Sequence, residues 1–319
     1  MGRLTSVFFV AILILAAVFY IKREDLQFST PVPKIYGATQ EVITVDNTWF
    51  PNKVVGWQNK NASQSNLSAK SAIIINYDTK DILFAKNADE RLPAASTIKI
   101  MTALVALESS SPGKVFTVSK KAAEVGEDSM NLTEGEKLNL EELLYGMMLA
   151  SGNDAAITIA EGIAADEDTF VEMMNKQLKK LGLSDTKFVN ASGLDEDNKT
   201  QYTTAYDLAV IAHYAWDKYP LFRKIVSTEH MFIEENGNHK AFDLYNETNL
   251  LTTYPGVQGI KPGFTWDAGW CLVTYAENNG KRLLAVILGS EDRRGEMKEL
   301  LDYGFAKYGI KIHHPGLDL

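Results

Sequence analysis

The chain has 319 residues, a length that suits one large domain or two smaller ones. Apolar residues make up 45% of it and charged residues 23%, which is ordinary for a globular protein. The net charge of −9 argues against a nucleic-acid partner, because binding to a phosphate backbone needs a basic face. The one cysteine, Cys271, lies in an apolar strand pattern and is expected to be a small buried side chain.

An uncharged, apolar run extends from Leu4 to Ile21, close to the lower length limit of a membrane-spanning helix. Basic residues flank the run on both sides, so the charge rule gives no orientation. The pattern predicts a membrane anchor or signal segment over residues 1–24, uncleaved, with the bulk of the chain on the extracytoplasmic face of the cell membrane. A cleaved signal peptide and a secreted protein are the alternative.

Residues 25–69 are predicted as an extracytoplasmic stalk or linker. Pro31 and Pro33 punctuate it, and the polar stretch NKNASQSNLS at 59–68 is rich in turn-forming residues. The stretch from Val42 to Trp57 is partly apolar, which leaves open whether this part of the stalk packs on the globular body.

The globular domain is expected over residues 70–309, followed by a C-terminal tail, 310–319. It opens with two β-rich runs, SAIIINYD and DILFAKN, that predict a hairpin. Apolar residues then follow helical spacing in LPAASTIKIMTALVALESS, where Pro93 and Ser96 supply a helix start. Further helical patterns extend from Asn139 to about Leu181 and from Thr204 to Ala215.

The end of the domain returns to strands. The stretch GIKPGFTW is expected to be a turn that leads into a strand, WDAGWCLVTYA, since proline is confined to strand edges, strand starts and bulges. A turn at Asn278-Asn279-Gly280 joins this strand to KRLLAVILGS, and a last helix covers RGEMKELLDYGFAKYG. Strands at both ends and a helical middle predict an α+β domain.

Several motifs of known enzymes are absent from the sequence. It contains no Gly-x-Ser-x-Gly elbow, no His-Glu-x-x-His, no phosphate-binding Gly-Lys-Ser/Thr loop and no Cys-x-x-Cys. The histidines show no metal-ligand spacing apart from the terminal pair His313 and His314, which is more typical of a solvated tail. No metal and no cofactor is expected.

Ser96 and Lys99 stand three residues apart at a helix start, so the amine can reach the hydroxyl. Serine is a weak nucleophile until a base takes its proton, and lysine can be that base when burial or a second cation lowers its pKa. The spacing alone is weak support, because serine and lysine are common residues.

Two further elements follow along the chain. Ser151-Gly152-Asn153 forms a polar break between two apolar helices, and Lys261-Pro262-Gly263 stands at a strand entrance. Each alone is more often an ordinary turn or helix cap. Together with Ser96 and Lys99, in this order, they disfavour coincidence.

The three elements lie in segments that resemble the motifs of the penicillin-recognising serine D-alanyl-D-alanine carboxypeptidases, the low-molecular-mass penicillin-binding proteins. The segments are AASTIKIMTALVALE, LTEGEKLNLEELLYGMMLASGNDAA and GVQGIKPGFTWDAGWCLV. The similarity extends over roughly residues 70 to 309 and includes LKKLGLSDTKFVNASGLDEDNKTQYTTAYDLA and LLDYGF. The resemblance implies a β-lactamase/transpeptidase-like fold, with a mainly antiparallel sheet flanked by helices plus a helical subdomain.

The resemblance also implies catalytic roles. Ser96 would attack the D-Ala-D-Ala peptide carbonyl to form an acyl-enzyme, and Lys99 would act as its general base. Ser151 and Asn153 would relay the proton to the leaving amine and hold the substrate amide. Lys261 would add positive charge that lowers the pKa of Lys99.

Substrate contacts are implied for a second set of residues. The backbone N–H groups of Ser96 and Phe264 would form the oxyanion hole, with Gly263 beside them. An arginine ahead of the last helix, Arg293 or its neighbour Arg294, would bind the terminal carboxylate. The expected partners are peptidoglycan stem peptides and β-lactams, together with the membrane through the N-terminal segment.

Two features depart from the family pattern. The family usually has Lys-Thr-Gly where this chain has Lys261-Pro262-Gly263, so a hydroxyl and a backbone N–H that would meet the substrate are missing. Thr265 is the candidate to replace that hydroxyl in part. Many relatives also carry a C-terminal β-domain with an amphipathic anchor, and here the N-terminal segment is expected to be the anchor instead.

The expected function is therefore D-Ala-D-Ala trimming in cell-wall biogenesis, with a bearing on cell shape. One alternative is an impaired relative that binds wall peptides without efficient turnover, which Pro262 motivates. Another is a β-lactamase-like hydrolase, although no Glu-x-x-x-Asn stands at a fitting place after Ser151 to activate a deacylating water.

Overall fold

The computed structural model describes residues 49–62, 66–196, 199–248 and 250–314. The predicted anchor and the first part of the predicted stalk lie outside these ranges. Within them, no helix combines the length and the apolar character that crossing a membrane requires.

The described residues contain nine strands, all paired antiparallel, in three sheets. The main sheet has the order β2-β1-β9-β8-β7, and β3–β4 and β5–β6 form two small ones. The strands are β1 Ser71–Asn76, β2 Ile82–Lys86, β3 Val115–Thr117, β4 Lys137–Asn139, β5 His230–Ile233, β6 Phe242–Tyr245, β7 Val257–Thr265, β8 Gly269–Asn278 and β9 Lys281–Ser290.

Nine α-helices are present in the same ranges, with two single turns of 3-10 helix at Trp57–Asn59 and Ala95–Ile98. The α-helices are α1 Lys99–Ser109, α2 Lys120–Ala123, α3 Leu140–Leu149, α4 Asn153–Ala164, α5 Glu167–Lys180, α6 Ala205–Lys218, α7 Pro220–Val226, α8 Leu250–Thr253 and α9 Arg293–Ala306.

The main sheet separates two apolar cores. All six residues of β1 are buried, and side chains alternate along a strand, so each face of β1 joins a different core. Ile73 and Ile75 pack with the helical body, whereas Ile74 packs with α9 through Leu301 and Phe305. The continuous apolar run SAIIIN therefore reflects a sheet that is covered on both faces.

Helix α3 has a well-defined start. The Asn139 side chain accepts a hydrogen bond from the Glu142 N–H at 3.0 Å, and the Glu142 carboxylate accepts one from the Asn139 N–H at 2.8 Å. This reciprocal cap satisfies two N–H groups that the first helical turn leaves unpaired. Helix α3 ends at Leu149. In the turn that follows, Ser151 has a left-handed backbone with φ +57°.

The α+β prediction is confirmed, as are the first hairpin, the helices after Asn139 and the hairpin with its turn at Asn279-Gly280. The prediction for GIKPGFTW is wrong. Strand β7 continues through Pro262 and Gly263, the turn falls at Trp266–Ala268, and β8 begins only at Gly269. Strand β7 is the edge of the sheet, where proline is tolerated if its nitrogen faces away from the neighbouring strand.

Part of the predicted stalk packs on the globular body. The Asn52 N–H donates to the Lys80 carbonyl at 2.8 Å, and the Ala85 N–H donates to the Lys60 carbonyl at 2.9 Å. Trp57 lies in the larger core with 9% of its surface exposed. Residues 49–62 therefore contribute to the folded body, and the predicted domain boundaries stay predictions.

Candidate active site

A cleft of about 540 Å³ opens beside edge strand β7. Five residues predicted for the site line it: Ser151, Gly263, Phe264, Thr265 and Arg293. Arg294, the rival of Arg293, is not among the lining residues. The second and third sequence motifs thus supply lining residues, whereas Ser96, Lys99, Asn153 and Lys261 are not among them. Ser96 lies directly behind the lining, against Gly263.

Ser96 and Lys99 are in direct contact. Lys99 Nζ lies 2.8 Å from Ser96 Oγ, as the three-residue spacing predicts. Ser96 sits in the 3-10 turn Ala95–Ile98, and α1 begins after this turn, at Lys99 rather than at Ser96. Ser96 keeps 9% exposure, whereas the Lys99 side chain is completely buried.

Two more oxygen atoms surround the Lys99 amine. Asn153 Oδ1 lies 2.7 Å and the Ser192 carbonyl 2.6 Å from Nζ. Ser192 was not among the predicted site residues, although it belongs to the quoted stretch NASGLDED. Only the folded chain brings its carbonyl to the amine.

Burial lowers the pKa of Lys99 well below the usual lysine value, and the positive charge of Lys261 lowers it further. Lys261 is itself completely buried, which lowers its own pKa to about 8. Its Nζ has no hydrogen-bond partner among the described residues. Burial and the neighbouring Lys261 charge therefore both favour the neutral form of the Lys99 amine.

The Ser151-Gly152-Asn153 turn holds one wall of the cleft. The Asn153 Nδ2 donates to the Gly126 carbonyl at 3.0 Å, and its backbone N–H donates to the Asp128 carbonyl at 2.8 Å. Ser151 has 1% exposure, and its Oγ has no hydrogen-bond partner in the ranges that the structure covers.

Asp154 also holds this wall, and the sequence analysis did not single it out. Its buried carboxylate accepts hydrogen bonds from the Met130 N–H at 3.0 Å, the Leu132 N–H at 2.8 Å and the Ser129 hydroxyl at 2.5 Å. Asp154 directly follows the Ser-Gly-Asn motif, which was the available signal. It ties the segment 128–132 to the start of α4.

Two glycines allow close approach to Ser96. A Cβ atom on Gly263 would lie 2.9 Å from the Ser96 nitrogen, which is closer than real Cβ contacts come. A Cβ atom on Gly193, which has φ +91°, would lie 2.2 Å from the Ala95 carbonyl oxygen. Strand β7 and the turn at Gly193 can therefore close around the backbone of Ser96 only because both positions lack a side chain.

The opposite wall is aromatic and ends in a guanidinium group. Arg293, the first residue of α9, lies over the Trp270 ring at 4.5 Å from its centroid. The rings of Trp270 and Phe264 are 4.3 Å apart, and that of Trp266, which is 92% exposed, lies 5.5 Å from Phe264. Arg293 makes no ion pair with another described residue, so its charge is available to a ligand in the cleft.

A family model described as D-alanyl-D-alanine carboxypeptidase matches residues 58–292. The chain belongs to this family. Carboxypeptidase DacF of Bacillus subtilis is 37% identical over 269 residues, which cover 82% of this chain and 68% of that relative. DacD of Escherichia coli is 33% identical over 266 residues, covering 78% and 66%.

The fold agrees with a solved structure as well. The DD-transpeptidase of a Streptomyces strain matches with a TM-score of 0.70 at 30% identity, over 76% of this chain and 98% of that one. This confirms the predicted penicillin-binding-protein fold. The chain spans about two thirds of the length of the curated carboxypeptidases quoted above and almost all of the transpeptidase.

Thr265 was the candidate to replace the hydroxyl that this carboxypeptidase lacks at Pro262. Its Oγ1 donates to Asp195 Oδ1 at 3.1 Å and accepts from the Ala268 N–H at 3.2 Å. The hydroxyl thus holds the turn after β7 against Asp195, and it would have to leave that carboxylate before it could donate to a substrate.

Proposed function

We propose that this protein is a serine carboxypeptidase that removes the terminal D-Ala from peptidoglycan stem peptides through an acyl-enzyme on Ser96. The observation that carries the proposal is the 2.8 Å contact between Ser96 Oγ and the amine of the completely buried Lys99. A buried neutral lysine is a competent base for a serine hydroxyl.

The surroundings of Lys99 support proton transfer from the Ser96 hydroxyl to the Lys99 amine. A neutral amine has two N–H groups and one lone pair, and the Asn153 and Ser192 oxygens can accept the two N–H groups. The lone pair is then left for the proton of Ser96. The hydroxyl oxygen attacks the carbonyl carbon of the penultimate D-Ala while Lys99 takes its proton.

Collapse of the tetrahedral intermediate breaks the carbon–nitrogen bond and releases D-Ala. The leaving amine needs a proton, which Lys99 returns through the hydroxyl of Ser151. Lys261 stabilises this relay as a buried cation, and Asn153 holds the substrate amide. A water molecule then attacks the ester, and the freed Ser96 regains its proton.

Pro262 supports the assignment of the oxyanion hole. A proline in an edge strand is tolerated when its nitrogen faces the open edge, and the N–H two residues later faces the same way. The Phe264 N–H would therefore point away from β8 towards the cleft. Together with the Ser96 N–H it can bind the developing oxyanion, worth about 3–4 kcal/mol per donor in acyl transfer.

Arg293 is the proposed partner of the terminal carboxylate. It lines the cleft, whereas Arg294 does not. The carboxylate would meet Arg293 beside Trp270, on the same wall as Phe264.

The test is covalent labelling of Ser96 together with product release. We expect a fluorescent penicillin to label the folded protein, Ser96→Ala to abolish the label, and diacetyl-Lys-D-Ala-D-Ala to release D-Ala. Thr169→Ala, which changes an exposed hydroxyl outside the cleft, is the matched control and should keep both activities. A folded protein that penicillin does not acylate would contradict the proposal.

We also propose that the enzyme acts outside the cytoplasm, held to the membrane through residues 1–24. The uncharged run from Leu4 to Ile21 supports this. The protein should remain in the membrane fraction after alkaline washing, and a chain without residues 1–24 should not. If the protein expressed from the full-length chain is released into the medium, a cleaved signal peptide is favoured instead.

A further inference from the structure

One buried carboxylate joins three segments at the start of α9. Glu296 lies in the first turn of this helix. Its carboxylate accepts hydrogen bonds from the backbone N–H of Ser68, from that of Ala69 at 3.1 Å and from the Ser290 hydroxyl. Ser68 and Ala69 lie just before β1, and Ser290 is the last residue of β9. A single side chain therefore holds the helix to the end of β9 and to the chain that enters β1.

Further hydrogen bonds fix the link between β9 and α9. The Ser290 hydroxyl accepts from the Asp292 N–H at 3.0 Å, and the Ser68 hydroxyl accepts from the Glu291 N–H at 2.9 Å. The Asp292 carboxylate in turn accepts from the Gly295 N–H at 3.0 Å and caps the helix. Each residue of the link 290–292 thus takes part in a hydrogen bond, and the start of α9 is held at a defined position.

Arg293 follows this link directly, as the first residue of α9. Its guanidinium group has no hydrogen bond or ion pair with another described residue and lies over the Trp270 ring, 4.5 Å from the centroid. Trp270 stands opposite Ser290 in the pairing of β8 with β9. The place of the guanidinium group is therefore set by the backbone of α9 and by the strand end that the Glu296 carboxylate holds.

The apolar contacts of α9 do not fix this place by themselves. The helix packs through Met297, Leu301 and Phe305 into the core that it shares with Ile74, and apolar packing is non-directional. Burial of a carboxylate is costly, and an apolar side chain of similar size often leaves stability unchanged. The Glu296 carboxylate adds direction instead, because three donors from two other segments meet it at once.

We infer that Glu296 is a positioning residue for Arg293 and sets where the guanidinium group meets the terminal carboxylate of the stem peptide. The inference rests on the proposed function, which assigns that carboxylate to Arg293. A guanidinium group binds a carboxylate through two parallel N–H groups, so a shift of the helix start would weaken or break this pairing. Misplacement of a binding group by about 1 Å can cost on the order of a hundredfold in rate.

Two substrates that differ only at the C-terminus measure what the terminal carboxylate contributes. Diacetyl-Lys-D-Ala-D-Ala carries the carboxylate, whereas its C-terminal amide keeps the scissile bond and is neutral at that end. The readout is the ratio of their kcat/KM values for cleavage, acid over amide, because a general loss of active protein lowers both alike. We expect the wild type to favour the acid by roughly tenfold or more, since the amide loses a hydrogen bond between charged groups.

Glu296→Gln should lower this ratio by about three- to tenfold. The amide that replaces the carboxylate turns an NH2 group towards one of the three donors, so the start of α9 is released while its apolar contacts remain. Glu299→Gln, the same change at an exposed position of the same helix, is the control and should keep the wild-type ratio. In Arg293→Gln the added Glu296→Gln change should lower the ratio no further, because residues that act through one another are not additive.

Ser290→Ala is the second variant, since it removes one donor to Glu296 and leaves the carboxylate in place. It should lower the ratio in the same direction by a smaller factor, and it decides the question if Glu296→Gln does not fold. A wild-type ratio in the deciding variant would overturn the inference. So would a loss in Glu296→Gln that persists in full without Arg293.

The same measurements separate this inference from the proposed function. A folded wild type that cleaves neither peptide and that penicillin does not acylate would contradict the proposed function itself. A wild type that cleaves both peptides with a ratio near unity would overturn the role of Arg293 and this inference with it, while the acyl-enzyme on Ser96 would stand.

Discussion

Lys99 and Lys261 both have completely buried side chains, and burial lowers the pKa of each. Burial favours the neutral form of both amines, but the two differ in their partners. Lys99 meets three oxygen atoms, whereas Lys261 Nζ meets no hydrogen-bond partner among the described residues. Asp128 and Glu247 favour the charged form of both lysines. The site therefore depends on a division of charge between two similar groups.

Removal of the Lys261 charge should alter the pH profile of acylation. In Lys261→Gln, one of the charges that lower the pKa of Lys99 is gone, so this pKa should rise. The acidic limb of the pH–rate profile should then move to higher pH. In the wild type, activity should fall as pH rises through about 8, since Lys261 then loses its proton. The measurement is the rate of penicillin acylation between pH 5 and pH 10.

Lys240→Gln is the matched control, because Lys240 is an exposed lysine outside the cleft. Its pH profile should match that of the wild type. An unchanged acidic limb in Lys261→Gln would show that the Lys261 charge does not act on Lys99 during the reaction.

Pro262→Thr tests whether proline limits the enzyme. Threonine restores a hydroxyl and an N–H at the open edge of β7, and one hydrogen bond to a charged group contributes about 1.5–3 kcal/mol, so kcat/KM for D-Ala release should rise roughly tenfold or more. Pro262→Ala restores only the N–H and separates the two contributions. No gain in either variant would mean that the edge strand is adapted to proline.

At the scale of elements, local residue patterns were enough to predict most of the strands and long helices. Runs of β-branched and apolar residues indicated β1, β2, β8 and β9, and apolar residues at helical spacing indicated the long helices. The same local reasoning made GIKPGFTW a turn before the strand, because the sequence does not show that Pro262 lies in β7 at the sheet edge. Edge position is a property of the assembled sheet.

The candidate site shows the same limit. The residues with reactive side chains were visible in the motifs Ser-x-x-Lys, Ser-Gly-Asn and Lys-Pro-Gly. The Ser192 carbonyl was not, because any residue has a carbonyl and only folding brings this one to Lys99. The carboxylates of Asp128 and Glu247 were missed for a similar reason, since these two residues are far apart in sequence and both line the cleft only in the folded chain.

The turn between α3 and α4 depends on Asp154, and its loss should be felt in both stability and activity. Asp154→Asn removes charge from an acceptor of three backbone N–H groups, so the free energy of unfolding should fall by roughly 1–3 kcal/mol. The measurement is urea unfolding, with penicillin acylation as the second readout, because the segment 128–132 borders the cleft.

Asp168→Asn is the control for this change, since Asp168 is exposed and makes no side-chain hydrogen bond with a described residue. It should unfold at the wild-type urea concentration. Equal stability of the two variants would mean that the Asp154 hydrogen bonds are replaced by water at no cost.

At the scale of the whole molecule, the segment before β1 is joined to the helical body through a buried histidine. The His213 ring stacks between Trp49, at 4.0 Å, and Tyr77, at 4.3 Å. The Trp49 Nε1 donates to the Tyr77 carbonyl at 3.2 Å. One aromatic stack thus connects the N-terminal segment 49–62, the residue directly after strand β1 and helix α6.

This stack should make the stability of the molecule depend on pH. Burial lowers the pKa of His213 to about 3, and the charges of Lys80 and Arg282 act in the same direction. In the unfolded chain the pKa is about 6.5. The unfolded state therefore binds the proton first, and the contribution of His213 to stability is complete above pH 6.5 and is lost as the pH falls towards 3.

His213→Phe keeps an aromatic ring in the stack and removes the titration. Its melting temperature should fall less than that of the wild type between pH 7 and pH 4, since the carboxylates titrate in both proteins and cancel in the comparison. His313→Phe, at an exposed position, should keep the wild-type slope. If the two variants lose the same number of degrees over this range, His213 is already protonated in the folded protein or accessible to water, and the stack does not restrict its charge.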